Sequence, residues 1–144
     1  LFGFMADTLL PSLQGRSLRG SMHYLGDLDL AGVRACLRHA DVFVLPSLWE
    51  NCPYSCLEAM AAGRAIVCAN QGGMPELVED GVHGLLATPG DAASFVAQIE
   101  RLIEDRACRE RLGAAARARV ERDFTDVRIA ERSVAFYRDC VASS

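Results

Sequence analysis

Continuous apolar runs, with no polar residue at alternate positions, constrain the fold of this chain more than any other feature. The two clearest are Val42–Leu45 and Ala65–Ala69, and a shorter run, Leu85–Ala87, follows. Loops and helical segments separate them, and strands that are apolar on both faces are typical of parallel sheets covered by helices. The sequence therefore predicts an α/β fold with a parallel sheet buried on both faces. Two earlier runs, Leu1–Phe4 and Met22–Leu25, are also predicted to be strands.

Capping residues and glycines predict where the helices begin and end. Asp29 is a natural N-cap for a helix over residues 30–37, and Gly63 is placed to stop a helix that has Pro53 at its first position. A short helix is expected over 75–79. Three C-terminal helices follow, of which the first is capped by Asp91, the second covers 106–123 and the third is capped by Thr125.

Two of these C-terminal helices have an apolar face at helical spacing. The face consists of Phe95, Val96, Ile99, Leu102 and Ile103 in the first helix, and of Val127, Ala130, Val134, Tyr137 and Val141 in the last. A further helical segment is expected around Leu9, Leu10 and Leu13.

The composition describes a globular chain of 144 residues, which is enough for one domain. A net charge of −4 argues against non-specific binding to nucleic acid. No apolar run is long enough to span a bilayer, and no signal-peptide pattern is visible, so the expected compartment is the cytoplasm. The six cysteines form no CxxC motif and are predicted to be reduced thiols. All 15 Lys-or-Arg positions are arginine, which excludes chemistry that needs a lysine within the chain.

Two carboxylates flank a predicted helix start directly after the strand Val42–Leu45. Glu50 lies in the loop, and Glu58, after seven intervening residues, lies about one and a half turns into the helix. The free N–H groups of a helix N-terminus favour an anion such as a diphosphate. An anion site between two carboxylates suits a nucleotide sugar, which has phosphates in its middle and hydroxyl groups at both ends. For either glutamate alone, a solvated surface residue remains the simpler interpretation.

Three other features carry weaker signals. Gly72-Gly73 follows the strand Ala65–Ala69 and lets the backbone approach a ligand, although an ordinary tight turn explains it equally well. Asp27-Leu28-Asp29 spells DxD, a pattern that can hold a divalent metal, but Asp29 is better explained as a helix cap and no metal is expected. The scattered histidines are predicted to have structural roles, and they are His23, His39 and His83.

Four segments, in order along the chain, resemble the retaining glycosyltransferases of the family 4, or group 1, type. The segments are 40–47, 50–63, 72–78 and 80–86, and the second contains the family's hallmark of two glutamates separated by seven residues. The resemblance implies the GT-B fold, in which two Rossmann-like domains face each other across a cleft, and it identifies residues 1–144 as the C-terminal, sugar-nucleotide-binding domain. The full-length protein would be a hexosyltransferase that transfers a sugar from a nucleotide-diphosphate sugar to an acceptor with retention of configuration.

The resemblance also implies roles for individual residues. Glu50 would be catalytic and contact the donor sugar near the reacting carbon, and Glu58 would hydrogen-bond the ribose hydroxyls. No cofactor or metal is implied. The remaining donor-binding positions are the backbone amides of Cys52, Tyr54 and Ser55, the residues Gly26 and Asp27 near the base, and the pair Gly72 and Gly73. The family often has Phe-Gly where this chain has Cys52-Pro53, and Pro53 lacks one amide donor.

Parts of the complete enzyme are expected to lie outside this chain. The family places an arginine and a lysine that neutralise the diphosphate early in this domain, and the chain contains no lysine. We therefore expect that the first strand and loop of the domain, and the N-terminal acceptor domain, are absent and that the fragment alone is inactive. The expected partners are a nucleotide sugar and the N-terminal domain of the same protein. Self-association through an exposed stripe of the last helix, and a peripheral membrane location of the full-length protein, are compatible with the sequence.

Two alternatives from other functional classes stay open. A nucleotide-sugar epimerase shares the two-domain fold but typically lacks the paired glutamates followed by Ala-Met. A non-catalytic interaction module is the other alternative, because a fold alone does not fix a function. The sugar, the base and the acceptor are not specified by the sequence.

Overall fold

A computed structural model describes residues 25–142 of the chain. The predicted strand Leu1–Phe4, most of the predicted strand Met22–Leu25, the helical segment around Leu9 and the histidine His23 lie outside these residues. The chain divides between Cys36 and Leu37 into two units, and the sheet belongs to the second.

Helix α1 (Leu30–His39) begins in the first unit at the predicted position. The carboxylate oxygen Oδ1 of Asp29 accepts a hydrogen bond from the backbone N–H of Gly32 at 2.8 Å. This is the N-cap that the sequence predicted, since a side-chain oxygen satisfies an N–H group that the first turn leaves free.

The second unit contains a three-stranded parallel sheet with the strand order β1-β2-β3. The strands are β1 (Val42–Leu45), β2 (Ala65–Ala69) and β3 (Leu85–Ala87), so all three predicted ranges are confirmed. The helices of this unit are α2 (Tyr54–Ala61), α3 (Met74–Leu77), α4 (Ala92–Glu104), α5 (Arg106–Asp123) and α6 (Asp126–Ala142). None of the helices within residues 25–142 has the length and apolar character that crossing a membrane requires.

The expectation that the strands are buried on both faces holds for only part of the sheet. All five residues of β2 are buried, whereas β1 is half-buried and its residue Val44 is 36% exposed. The reason is position, because within the described part of the chain β2 is flanked by two strands and β1 pairs with β2 alone. The central strand therefore anchors the core, whose largest fully buried side chains include Met60, Ile66, Met74, Leu85, Leu102 and Leu112.

The apolar faces of the C-terminal helices are also narrower than predicted. In α4, Phe95 and Leu102 are buried, but Val96 and Ile103 are exposed, because only one side of this helix packs against the sheet. In α6, no residue is buried, and the predicted stripe that includes Val134 is exposed along its length.

The predicted helix boundaries are close to those observed, with two differences. Pro53 is the N-cap of α2 in an extended conformation rather than its first helical residue, and α3 is shorter than the predicted range 75–79. The other caps are confirmed. Asp91 Oδ1 accepts the N–H groups of Ala93 and Ser94, at 2.9 Å and 3.3 Å. Thr125 Oγ1 accepts the N–H group of Arg128 at 3.4 Å.

One glycine in α5 lets this helix approach the turn between α2 and β2. Gly113 is buried, and a Cβ atom added there would collide with the backbone carbonyl oxygen of Gly63 and approach the backbone nitrogen of Ala65 to 3.3 Å. Gly63 itself has a φ of +69° and ends α2 as predicted. Backbone atoms cannot move aside as a flexible side chain can, so any side chain at this position would force the backbone to shift.

We expect Gly113→Ala to lower the free energy of unfolding by about 1–3 kcal/mol, the usual cost of overpacking a core. In an unobstructed helix the same change would stabilise by about 0.5–1 kcal/mol. Urea unfolding measures the difference, and Ala114→Gly, at the exposed neighbouring position of α5, calibrates helix propensity at this point of the helix. An increase in stability for Gly113→Ala would contradict the packing described above.

Candidate functional site

Two loops at the carboxyl ends of β1 and β2 are in direct backbone contact. The N–H of Gly73 donates a hydrogen bond to the carbonyl oxygen of Glu50 at 2.7 Å. A Cβ atom added at Gly72 would collide with that same carbonyl oxygen, and one added at Gly73 would collide with the carbonyl oxygen of Asn51. The glycine pair is therefore required for loop-to-loop packing, and its expected contact with a ligand stays a prediction.

Glu50 is held in place by its backbone and by its two neighbours. The indole Nε1–H of Trp49 donates a hydrogen bond to Oδ1 of Asn51 at 3.1 Å, which bridges across Glu50. Glu50 is half-buried, whereas the Trp49 ring is 66% exposed. The backbone that carries the Glu50 carboxylate is therefore restrained, and the neighbouring Trp49 ring is accessible to solvent.

The N-terminus of α2 follows this loop and presents free backbone donors. The N–H groups of Cys56 and Leu57 both donate to the carbonyl oxygen of Pro53, at 3.0 Å and 3.3 Å. The N–H groups of Tyr54 and Ser55 have no acceptor among residues 25–142, and both residues are exposed. Such a helix end favours an anion, because its free N–H groups and the helix dipole both attract negative charge.

The other predicted site residues are all exposed. Glu58 is exposed on α2, and Cys52 is exposed in the loop before that helix. Gly26 and Asp27 are exposed and belong to the first unit, where Gly26 has a φ of +67°. Their expected place near the base of a nucleotide stays a prediction.

A cleft of about 300 Å³ lies next to the Glu50 loop. It is lined by residues of the two strand-end loops and of α3, α5 and α6, which are Asn51, Cys52, Gly73, Glu76, Leu77, Arg119, Asp123, Phe124 and Arg132. None of the charged residues among them was predicted from the sequence to belong to a site. Arginines in α5 and α6 carry no local signal that would tell a cleft position from a solvated one.

Arg119 of α5 is anchored to two other parts of the second unit. Its Nη2 donates to the carbonyl oxygen of Glu76 at 2.7 Å, and its Nη1 lies 3.1 Å from Nδ1 of His83. Because arginine only donates, Nδ1 of His83 is the acceptor and the imidazole carries its proton on Nε2. His83 is buried, so its predicted structural role is confirmed.

The surroundings of His83 favour its neutral form. Burial lowers the pKa of the imidazole below its usual 6.5, and the neighbouring charge of Arg119 lowers it further. The carboxylate of Glu79 opposes this effect, with its Oε2 at 3.9 Å from Nδ1, and more distant Arg122 and Asp123 act with opposite signs. Protonation of Nδ1 would remove one of the two acceptors that hold Arg119.

Asp123 is surrounded by positive charge. Arg122 donates two hydrogen bonds to its carboxylate, at 2.9 Å and 2.6 Å, and these bonds lower the pKa of the Asp123 carboxyl group. Arg119 and Arg132 lower that pKa as well. Within residues 25–142 no cluster of three His, Cys, Asp or Glu side chains is arranged to hold a metal ion.

Comparison with known proteins identifies the family. The profile of the family "Glycosyl transferases group 1" matches residues 5–119. The chain belongs to the group 1 glycosyltransferase family. It is 34% identical over 122 residues to the glycogen synthase of Mycobacterium tuberculosis, an alignment that covers 85% of this chain and 30% of that protein. The chain therefore spans about a third of the length of such curated relatives.

Solved structures of glycosyltransferases share the fold. The structure of Anabaena HepE in complex with UDP-glucose matches with a TM-score of 0.84 and 25% identity, over 95% of this chain and 37% of that chain. The C-terminal domain of a group 1 glycosyltransferase from Francisella tularensis, LpcC, matches in fold with a TM-score of 0.70 and 21% identity, over 85% of this chain and 64% of that chain. The parallel sheet with flanking helices is thus part of a GT-B fold, as predicted.

We expect Gly73→Ala in this glycosyltransferase chain to displace the Glu50–Asn51 backbone, because the added methyl group meets a carbonyl oxygen that cannot rotate away. The free energy of unfolding should fall by about 1–3 kcal/mol, and the amide resonances of residues 49–52 should shift in a ¹H–¹⁵N NMR spectrum. Gly81→Ala is the matched control, since a Cβ atom there meets nothing within 4 Å and only its φ of +72° adds strain. Unchanged resonances at 49–52 in the Gly73 variant would rule out the loop contact.

The lowered pKa of His83 predicts acid-sensitive stability. The unfolded chain binds a proton at the ordinary histidine pKa, and the folded chain binds it only at lower pH. The contribution to stability is therefore fully present above about pH 6.5 and is lost as the pH falls through the folded pKa. Urea unfolding between pH 7.5 and 5 measures this loss, and His83→Asn should flatten the dependence over the same range. A slope that is identical in the variant would assign the acid sensitivity to other groups.

Proposed function

We propose that this chain is the donor-binding part of an enzyme that transfers a sugar from a nucleotide-diphosphate sugar with retention of configuration. The observation that carries the proposal is the continuous path from Glu50, fixed by Gly73, to the free N–H groups of Tyr54 and Ser55 at the start of α2. The Glu50 carboxylate and these free N–H groups belong to one loop and helix start at the carboxyl end of a parallel sheet, where α/β proteins bind their ligands, and this supports the proposal.

The diphosphate is the group that the start of α2 suits. Two unpaired N–H groups and the positive end of the helix dipole attract negative charge. When the bond to the sugar breaks, the diphosphate leaves with additional charge, so donors that are already in place stabilise the transition state more than the ground state. Pro53 removes one amide from this set, which makes the two at Tyr54 and Ser55 more important.

The two glutamates have different surroundings, which supports different roles. Glu50 is half-buried on a loop that two hydrogen bonds restrain, and such a fixed carboxylate can stabilise positive charge near the reacting carbon of the sugar. Glu58 is exposed on α2 and suits the ribose hydroxyl groups, which are neutral donors at the other end of the ligand. Gly26 and Asp27 are assigned to the base by resemblance alone.

Acceptor binding is assigned to the remainder of the enzyme. The curated relatives are about three times longer than this chain, and we assign the acceptor to a partner domain supplied by that additional length. The UDP-glucose complex of HepE supports a nucleotide sugar as the donor. On this proposal the 144-residue chain binds the donor but does not transfer its sugar.

Trp49 provides a direct test, because it is the single tryptophan of the chain and lies next to Glu50. Titration with UDP, GDP and their glucose and mannose derivatives should give a saturable change in tryptophan fluorescence for at least one of them. We expect Glu58→Gln to weaken that binding by about tenfold, since a hydrogen bond to a charged acceptor becomes one to a neutral acceptor.

Glu100→Gln, at an exposed position of α4, is the matched control and should leave the affinity unchanged. If no nucleotide or nucleotide sugar changes the fluorescence at millimolar concentration, and none shifts the amide resonances of Tyr54 and Ser55, the proposed donor site is wrong. Equal affinities of the Glu58 and Glu100 variants would remove Glu58 from the site.

A further inference from the structure

The cleft next to the Glu50 loop is lined by two arginines and two carboxylates, and a third arginine lies beside it. Three guanidinium groups lie in or beside it, those of Arg119, Arg122 and Arg132, against the carboxylates of Glu76 and Asp123. Arg122 already donates two hydrogen bonds to Asp123. Arg119 and Arg132 also act on the Asp123 carboxylate through their charge, but within residues 25–142 neither donates a hydrogen bond to a carboxylate.

Arg119 is a cation whose hydrogen-bond acceptors are all neutral. They are the carbonyl oxygen of Glu76 and the ring of His83, and the Nε–H group of Arg119 is buried without any acceptor among the described residues. A buried N–H group without an acceptor is costly, because buried polar groups are normally hydrogen-bonded. An anion in the cleft would bring further negative charge close to the guanidinium group of Arg119.

Two further donors border the same cleft. Arg132 is exposed on α6, and within the described part of the chain its guanidinium makes no hydrogen bond. In Asn51, Oδ1 accepts the bond from the Trp49 indole, which can only donate, so the amide nitrogen of Asn51 is left as a donor. The cleft volume of about 300 Å³ is at the lower end of the range for small-molecule sites.

We propose that this cleft is a phosphate subsite, in which Arg132 and the Asn51 amide donate hydrogen bonds to phosphate oxygens and the anchored charge of Arg119 stabilises the anion. Arginine suits this task because its planar fork matches the geometry of a phosphate group. The inference rests on the proposed function only for the source of the phosphate, which is either the diphosphate of the donor or a phosphomonoester on the acceptor.

The reactivity of Cys52 can show whether the cleft is occupied, because its exposed thiol is part of the lining. Cys36→Ser and Cys140→Ser remove the other two exposed thiols, and Cys56, Cys68 and Cys108 are buried. Burial raises the pKa of Cys56 and of Cys68 to about 12, which keeps both protonated and unreactive. The rate at which iodoacetamide alkylates this double variant therefore measures access to Cys52.

We expect inorganic phosphate to slow this alkylation in a saturable manner, about tenfold at ten times the dissociation constant, since only unoccupied sites react. Sodium chloride at equal ionic strength is the control for screening. Arg132→Gln should weaken the phosphate effect by about tenfold, the value of one charge-assisted hydrogen bond. Arg138→Gln, on the same helix but outside the cleft, should behave as the parent does.

A second arm distinguishes the sources of the phosphate. If saturating UDP-glucose itself protects Cys52 and abolishes the phosphate effect, the subsite holds the donor's diphosphate. If phosphate protects with unchanged affinity while UDP-glucose is bound, the subsite holds a phosphate of the acceptor. Phosphate protection without any response to nucleotides, either of Trp49 fluorescence or of the Tyr54 and Ser55 amide resonances, would sustain the subsite and reject the proposed donor site.

Two results would overturn the inference. One is protection by chloride equal to that by phosphate. The other is equal phosphate affinity in the Arg132→Gln and Arg138→Gln variants.

Discussion

The contact between Gly73 and the Glu50–Asn51 backbone is the constraint on which the candidate site depends. It joins the loops after two adjacent parallel strands through a hydrogen bond of 2.7 Å and a spacing that leaves no room for a Cβ atom. Parallel strands place these loops at the same edge of the sheet, but adjacency alone would leave each loop free to move. The glycine pair fixes the two loops relative to each other. The free helix end at Tyr54 and the neighbouring cleft both adjoin these loops, so their positions depend on this contact.

Arginine side chains perform a related function between helices and loops. Several donate to main-chain carbonyl oxygens of other elements: Arg64 to Ala40, Arg109 to Leu102, Arg111 to Gly81 and Arg119 to Glu76. A guanidinium has five N–H donors on a rigid plane, so one side chain can hold a carbonyl and still reach a second partner. An ammonium group concentrates its charge at one point and holds such bonds with less directional restraint. The absence of lysine excludes lysine-dependent chemistry, and these bonds show in addition that arginine has a structural role that lysine would perform less well.

The sequence predicted what depends on local pattern and missed what depends on packing. The strands of the second unit, the caps Asp29 and Asp91 and the stop at Gly63 follow from apolar runs and short-range hydrogen bonds, and they are confirmed. The half-burial of β1 and the exposure of Val96 depend on which surfaces meet, which periodicity does not encode. For the same reason the packing of Gly72 and Gly73 against the Glu50–Asn51 backbone was not predicted, and their contact with a ligand stays a prediction. The cleft was beyond prediction because Asn51, Arg119 and Arg132 come from distant parts of the sequence.

The two arginines of the cleft divide two tasks that a single side chain would perform poorly. Arg119 uses both of its terminal nitrogens to hold α5 against the Glu76 carbonyl and the His83 ring, so its position is set by the fold and its charge is fixed. Arg132 is exposed and makes no hydrogen bond within the described residues, so its donors are available to a ligand at little cost to folding. The guanidinium group of Arg119 is already in place before an anion binds, so binding would require less side-chain rearrangement. Arg119 therefore contributes mainly to folding stability, and Arg132 contributes mainly to the proposed binding of an anion. Because different residues carry them, a substitution of Arg132 can change anion affinity without changing the stability of the fold.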